Sequence, residues 1–335
     1  MAIEPVSAKR VWGVSGASLV ALAAALAVLP LIGSVRIDYS RALAGASPDY
    51  EIFFRARLPR VLLSGIVGGV LATAGVLFQA LLRDALATPY TLGVSSGASL
   101  GAVLAIVFGW SSIAGLSGLW AAAFLGAGIT LLLVMTVASE RRHLSSFTLL
   151  LAGVTINSIA TALILFFHNL ASFSQSFAIT RWLMGGIEPV PYVTLAWLAV
   201  ATLPVILWLF WTAREWNLLS IGEEWAAVRG VSTSRLLLIG YITASFLTAS
   251  VTSFTGPIGF VGLIVPHALR MAFGADHRLL IPASFLLGAT FLALCDTIAR
   301  VLLAPAEIPV GVVTALLGGP FFIWMLRSKR RSLWL

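Results

Sequence analysis

Apolar runs of about 20 residues recur along the whole chain, and short polar segments separate them. A helix of about this length crosses the hydrocarbon core of a bilayer. The runs lack the polar–apolar alternation of membrane β-barrel strands. The pattern therefore predicts an all-α membrane protein with about ten transmembrane helices. The predicted spans are 11–33, 60–82, 93–109, 115–138, 146–167, 192–212, 235–254, 258–272, 279–300 and 308–327.

The composition agrees with a protein whose main solvent is lipid. Hydrophobic residues make up 59% of the chain and charged residues 10%, whereas soluble domains carry about 25% charged residues. The net charge of +8 does not indicate nucleic-acid binding, because the basic residues lie at span ends rather than along one face. Nothing marks a second domain, so residues 1–335 are interpreted as a single transmembrane domain.

The distribution of basic residues predicts the orientation. With the N-terminus inside, most of the 21 Lys and Arg residues fall in cytoplasmic segments, as the positive-inside rule requires. Both termini are then cytoplasmic. A weak repeat relates residues 60–75 to residues 235–250, five spans later. An odd offset places the two copies in opposite orientations, which is typical of inverted-repeat transporters.

The chain has no visible means of hydrolysing ATP. Its two lysines, Lys9 and Lys329, lie outside any G-x-x-x-x-G-K-[ST] sequence, so a phosphate-binding loop is excluded. We predict that the chain is not an enzyme by itself and that it binds no cofactor or metal. Cys295 is the only cysteine, which excludes an intramolecular disulfide.

One apolar run is interrupted by glycine and proline. Irregular backbone at membrane depth is tolerated only inside the protein or beside a cavity, and broken helices mark the sites of many transporters. The alternative is a simple proline kink. We therefore predict that this segment lines a translocation path, together with a histidine at the outer end of the fifth span. The predicted path residues are Gly256, Pro257, Gly259, Phe260, Gly262 and His168.

The longest polar inner segment, about 215–231, contains a short stretch bracketed by Gly222 and Gly230. Glu223 and Glu224 open it and Arg229 closes it, a charge order that suits a helix dipole. This pattern predicts a surface helix able to dock a partner. The alternative is a solvated connector.

Arginines cluster at the predicted outer mouth. Arg57 and Arg60 precede the second span, and Asp296 and Arg300 are four residues apart near the end of the ninth. The functional interpretation is an arginine ring that receives an acidic partner. The alternative is snorkelling with local pairing.

Five stretches together resemble the permease subunits of ABC importers for iron chelates, haem and vitamin B12. They are RLPRVLLSGIVGGVLATAGVLFQALLRDALATPYTLGVSSGASLGA at 57–102, LLLAGVTIN at 149–157, IGEEWAAVRGV at 221–231, GPIGFVGLIVPHALR at 256–270 and EIPVGVVTALLGGPFFIWML at 307–326.

The resemblance implies the inverted-repeat fold of a type II importer permease in the bacterial inner membrane. It also implies a homodimer with two cytoplasmic ATPase subunits and an external binding protein. Within this family a ferric siderophore is the first cargo expected, with haem and vitamin B12 as alternatives. A rival class is an ion-gradient-driven secondary transporter, which would need ionisable residues inside the membrane.

The resemblance further assigns roles to individual residues. Binding-protein docking falls on Arg57, Arg60 and Arg300. ATPase coupling falls on Gly222, Glu223, Glu224, Ala227, Arg229 and Gly230. A cytoplasmic gate falls on Asp84, Leu86, Ser145 and Ser146. This chain reads Asp84-Ala-Leu-Ala87 where the family usually reads Asn-Pro-Leu-Ala, so the resemblance does not define its exact gate geometry.

Overall fold

The computed structural model describes residues 7–90, 92–113, 116–138 and 145–328, and both chain ends lie outside these ranges. The described chain is almost entirely helical. Its α-helices are α1 (Ala8–Val28), α2 (Tyr39–Leu43), α3 (Leu58–Leu82), α4 (Val94–Phe108), α5 (Gly118–Ala138), α6 (Ser146–Leu170), α7 (Phe173–Leu183), α8 (Tyr192–Trp211), α9 (Ala213–Ile221), α10 (Glu223–Val228), α11 (Thr233–Thr255), α12 (Val261–Phe273), α13 (His277–Val301) and α14 (Val310–Ser328). A 3₁₀ turn (Leu29–Leu31), a π-helical turn (Glu51–Arg57) and a two-residue hairpin, β1 (Ser112–Ile113) with β2 (Leu116–Ser117), complete it.

The ten predicted spans each correspond to one helix, namely α1, α3, α4, α5, α6, α8, α11, α12, α13 and α14. Among the described residues, seven helical segments are long and apolar enough to cross a membrane. The other three, Val94–Phe108, Val261–Phe273 and Val310–Trp324, are apolar but shorter. Short helices are tolerated where neighbouring protein, rather than lipid, surrounds their ends.

Helix α3 is the centre of the bundle and is buried along nearly its whole length. It packs on α11, α12 and α13. Two close crossings depend on glycine pairs: a Cβ on Gly68 would overlap the backbone of Gly288, and a Cβ on Gly75 would overlap the carbonyl oxygen of Gly262. Small residues let helix backbones approach and gain dispersion contacts, which is the main attraction between helices in lipid.

A second seam joins α4 to α5. A Cβ on Gly101 would overlap the carbonyl of Ala122, and one on Gly97 would overlap the side chain of Thr130. Alanines fill the remaining space, including Ala98 and Ala127. Close packing of small residues therefore joins α4 to α5 in the same way as it joins α3 to α12 and α13.

Several elements are absent from the predicted set of spans. The most distinct is α7, an outer helix that begins with a capping box in which the Ser172 and Gln175 side chains each accept the other's backbone N–H. Short surface helices such as α2 and α9 also appear. They are too short or too polar to register as spans, so an apolar-run criterion passes over them.

Candidate functional site

The three outer arginines lie around one open cavity of about 140 Å³, which Glu307 and Gly33 also line. Helix α3 positions Arg60, the π-helical turn before it carries Arg57, and the end of α13 supplies Arg300. The structure therefore brings together the three side chains that the sequence predicts as a docking ring. It also shows that their guanidinium groups are already engaged within the chain.

Arg57 is buried, with 6% of its surface exposed. Its two terminal nitrogens donate to the carbonyl oxygens of Leu31 (3.3 Å) and Val35. A Cβ on Gly33 would overlap the guanidinium, so the glycine makes room for this arginine. Arg57 therefore fastens the segment after α1 to the start of α3.

Arg60 and Arg300 share a buried carboxylate. Asp296, with 1% of its side chain exposed, lies 3.1 Å from an Arg60 terminal nitrogen and 3.2 Å from Arg300 Nε. A second terminal nitrogen of Arg60 contacts Glu307 Oε2 at 2.8 Å, and 49% of the Glu307 side chain is exposed. The local pairing that the sequence left as an alternative is thus present. Only the Glu307 end of the network faces solvent.

The predicted coupling segment forms α10, with Gly222 as its N-cap and Gly230 just after its end. Gly222 and Gly230 have φ of 154° and 85°, values that glycine adopts most readily. Ala226 is fully buried and fixes the helix to the bundle, whereas Trp225 and Val228 are 66% and 84% exposed. Glu224, Ala227 and Arg229 are also exposed. The helix thus presents an apolar surface away from the protein.

Glu223 is the one member of this set that faces inward to other helices. Its Oε1 accepts from an Arg83 terminal nitrogen at 2.9 Å and lies 3.0 Å from Ser146 Oγ. Arg83 ends α3 in the left-handed conformation (φ 51°), and Ser146 is the first residue of α6. Two predicted gate elements therefore meet on one carboxylate of α10.

The remaining predicted gate residues form local turns. Asp84 Oδ1 accepts the backbone N–H of Leu86 at 2.9 Å, an Asx turn that an asparagine oxygen could also make. Asp84 can therefore form the same turn as the asparagine that the family usually has at this position. Ser145 caps α6 by accepting the N–H of Thr148 at 3.1 Å. Leu86 is exposed at the surface.

A second polar cluster on the same side of the bundle was not predicted. Asn217 on α9 donates to Asp276 Oδ1 (2.9 Å) and accepts the backbone N–H of His277 (2.8 Å). Asp276 caps α13 and pairs with Arg278. Burial raises the pKa of the Asp276 carboxyl, but hydrogen bonds from Arg278 and Asn217 outweigh it and hold the pKa to about 2. This charged carboxylate therefore joins α9 firmly to α13.

The glycine- and proline-containing segment breaks the chain between α11 and α12. Helix α11 ends at Thr255, residues 256–259 are not helical, and Phe260 has a positive φ of 68° before α12 begins. A broken helix was therefore the correct expectation, although Pro266 lies inside α12 without ending it. Gly256 lies against the carbonyl of Trp182, and a Cβ on Gly318 would overlap the Phe260 ring.

The predicted path residues differ in their surroundings: some are packed between helices and others border open space. Gly262 contacts α3 and accepts from Gln79 Nε2 at 3.3 Å, so it belongs to a packed crossing. A Cβ on Gly259 would meet no heavy atom within 4 Å. His168, in the last turn of α6, is half-buried and lies 3.4 Å from Thr180 Oγ1 of α7.

Comparison with known proteins places this geometry in a family. The sequence model of the FecCD transport family matches residues 19–328. The vitamin B12 import system permease protein BtuC of Citrobacter koseri is 40% identical over 288 residues, which cover 84% of each chain. The hemin transport system permease protein HmuU of Yersinia pestis is 38% identical over 285 residues, covering 84% of this chain and 85% of the relative.

A solved structure supports the same assignment. An inward-facing conformation of a metal-chelate type ABC transporter superposes with a TM-score of 0.81 at 32% identity, and covers 93% of this chain and 99% of that chain. The PsaBC complex of Streptococcus pneumoniae, at 17% identity and a TM-score of 0.57, shares the fold. The chain therefore belongs to the FecCD transport family and is a permease of the ABC importer class, with the all-helical fold of a type II importer permease.

Proposed function

We propose that this permease carries a metal chelate from an external binding protein into the cytoplasm, across the bacterial inner membrane, using ATPase subunits that are separate chains. The observation that carries this proposal is α10, a short exposed helix whose inward carboxylate contacts the ends of two membrane helices. Such a helix gives an external motor a point of attachment that leads into the bundle.

The attachment surface of α10 is its apolar outer side. Trp225 and Val228 are exposed on either side of the buried Ala226, and tryptophan is among the commonest anchors of protein interfaces. A lipid-facing role is less consistent with the charges of Glu224 and Arg229 on the same helix. We therefore assign to α10 the contact with a cytoplasmic ATPase, with Gly222 and Gly230 setting its two ends.

The binding protein is assigned to the outer arginine cavity. Because Asp296 is buried between two arginines, an acidic group on a partner would compete with Glu307, not with Asp296. Arg60 is then the arginine that can exchange partners, while Arg57 and Arg300 hold the cavity in shape. We therefore keep all three arginines in the proposed docking site, with Arg60 as the contact residue and Arg57 and Arg300 as supporting residues.

A second copy of the chain is assigned to the exposed side of α6. Thr155, Ser158 and Ala162 are exposed there, at positions that share one helix face. Each hydroxyl donates to a carbonyl four residues earlier, and the same side of the helix also carries the exposed apolar side chains of Leu151, Ile159 and Phe166. We assign this mixed face to a path between two copies, to which the glycine-containing break and His168 would contribute.

The cargo is a metal held in a large organic ligand. A ferric siderophore remains the first prediction from the sequence. The BtuC and HmuU relatives favour vitamin B12 and haem as the second candidates. Reconstitution into liposomes with the ATPase and binding protein, followed by uptake of each of the three cargoes with and without ATP, tests the proposal. Uptake that follows a proton gradient and ignores ATP would instead indicate a secondary transporter.

A further inference from the structure

Two helix ends converge on the cytoplasmic helix α10. The last residues of α3 supply Arg83 and the carbonyl of Leu81, and the first residue of α6 supplies Ser146. Ser146 Oγ lies 2.6 Å from the Leu81 carbonyl oxygen and 3.0 Å from Glu223 Oε1. Arg83 and Ser146 both contact the one carboxylate that α10 turns toward the bundle, and Ser146 also contacts the end of α3 through the Leu81 carbonyl.

The chemistry makes this carboxylate hard to replace. The Leu81 carbonyl belongs to the last turn of α3, which has no partner within its own helix. The Ser146 hydroxyl carries one proton, so it donates either to Leu81 or to Glu223 at a given moment. An ionised carboxylate also accepts from the Arg83 guanidinium without needing a proton of its own. A neutral amide at position 223 would keep the shape and lose the charge.

We propose that Glu223 is the positioning residue through which movement of α10 is transmitted to the ends of α3 and α6. This inference rests on the proposed function, because it requires an ATPase that moves α10. When α10 shifts, its carboxylate carries Arg83 and Ser146 with it, and these residues stand at the two elements predicted to form the cytoplasmic gate. Glu223 itself need not touch cargo or ATP.

Two observations separate Glu223 from its neighbours. Glu224, the next residue, is exposed and points away from the bundle. The Arg83–Glu223 pair is half-exposed, with 41% and 26% of the two side chains accessible, so it can form and break without the cost of a fully buried pair. An ion pair of this kind can rearrange when α10 moves relative to α3.

The test uses the full complex of permease, ATPase and binding protein in liposomes. Glu223→Gln is compared with the wild type and with Glu215→Gln, which makes the same chemical change at an exposed position of α9. Three quantities are measured: ATPase copurification, ATP hydrolysis, and cargo imported per ATP hydrolysed. We expect Glu223→Gln to keep copurification and hydrolysis but to lower the import per ATP about fivefold, and Glu215→Gln to keep all three.

A double-variant measurement tests the route. If Arg83 acts through Glu223, the double variant Arg83→Gln/Glu223→Gln should import as much cargo per ATP hydrolysed as Glu223→Gln alone. The contact between the two residues is already lost in the single variant. If Glu223→Gln imports as much cargo per ATP hydrolysed as the wild type, the inference is overturned while the proposed function stays intact. Absence of ATP-dependent import by the wild type would overturn both. Loss of ATPase copurification in Glu223→Gln would show that the residue serves binding instead, and would also overturn the inference.

Discussion

Arg60 and Asp296, 236 residues apart in the chain, form an ion pair between α3 and α13 at the end of the bundle that the sequence predicts to face outward. The pair closes the same cavity that holds Arg57, Arg300 and Glu307. The proposed docking ring and the packing of α3 on α13 therefore depend on one carboxylate.

Asp296→Asn should destabilise the protein strongly. Removing the charge leaves the buried Arg300 without an anion and Arg60 with only the half-exposed Glu307, and breaking a buried pair in this way costs about 3 kcal/mol or more. Thermal unfolding in detergent measures the effect. Glu307→Gln is the matched control, because that carboxylate is half-exposed and such pairs contribute about 1 kcal/mol at most. Equal losses in the two variants would contradict the buried-pair account.

Glu307→Gln should tighten the binding of the external binding protein. The variant removes the accessible partner of Arg60 and one negative charge from the outer surface, so we expect an affinity increase of about threefold. Glu51→Gln is the control for general charge effects, since Glu51 pairs with Arg55 outside the cavity. Titration of the binding protein onto permease in nanodiscs measures both. An identical gain in both variants would place docking elsewhere.

Gly75→Ala should destabilise the crossing of α3 with α12. The added Cβ would overlap the Gly262 carbonyl, and overpacking of this kind costs about 1–3 kcal/mol. Gly128→Ala on α5 is the control, because a Cβ there meets no heavy atom within 4 Å. Detergent unfolding curves compare the two. A Gly75→Ala protein as stable as the control would mean that the helices are further apart than described.

Trp225→Ala should weaken ATPase association about tenfold or more, because exposed tryptophans often dominate an interface. Trp197→Ala on α8, which removes an equally exposed tryptophan from a membrane span, should leave association unchanged. Copurification with the ATPase at increasing salt measures the difference. Retention of the ATPase by Trp225→Ala would remove α10 from the attachment site.

The ten spans could be predicted because each is an apolar run between polar segments, and bilayer thickness sets the length of most of them. Three of the helices carry the same apolar pattern but are shorter. The short helix α10 was also predictable, since two glycines and a favourable charge order define it locally. Helix α7 carried a local signal as well: Ser172 and Gln175 have the spacing of a capping box.

The state of the outer arginines was not predictable in the same way. The partners of Arg57 are carbonyl groups 22 and 26 residues away, and nothing in the local sequence marks a backbone oxygen as an acceptor. Arg83 and Asn217 were missed for a similar reason. Arg83 follows α3 and Asn217 lies within α9, and the partner of each becomes evident only when distant elements meet.

Cargo import per ATP hydrolysed tests most directly whether this permease belongs to an ATP-driven importer of metal chelates. The permease is reconstituted in liposomes, with its ATPase inside the vesicle and its binding protein outside. Accumulation of a ferric siderophore, haem or vitamin B12 in the vesicle is then followed. We predict that one of these chelates accumulates only when ATP, ATPase and binding protein are all present. Accumulation that needs a proton gradient and continues without ATP would contradict it.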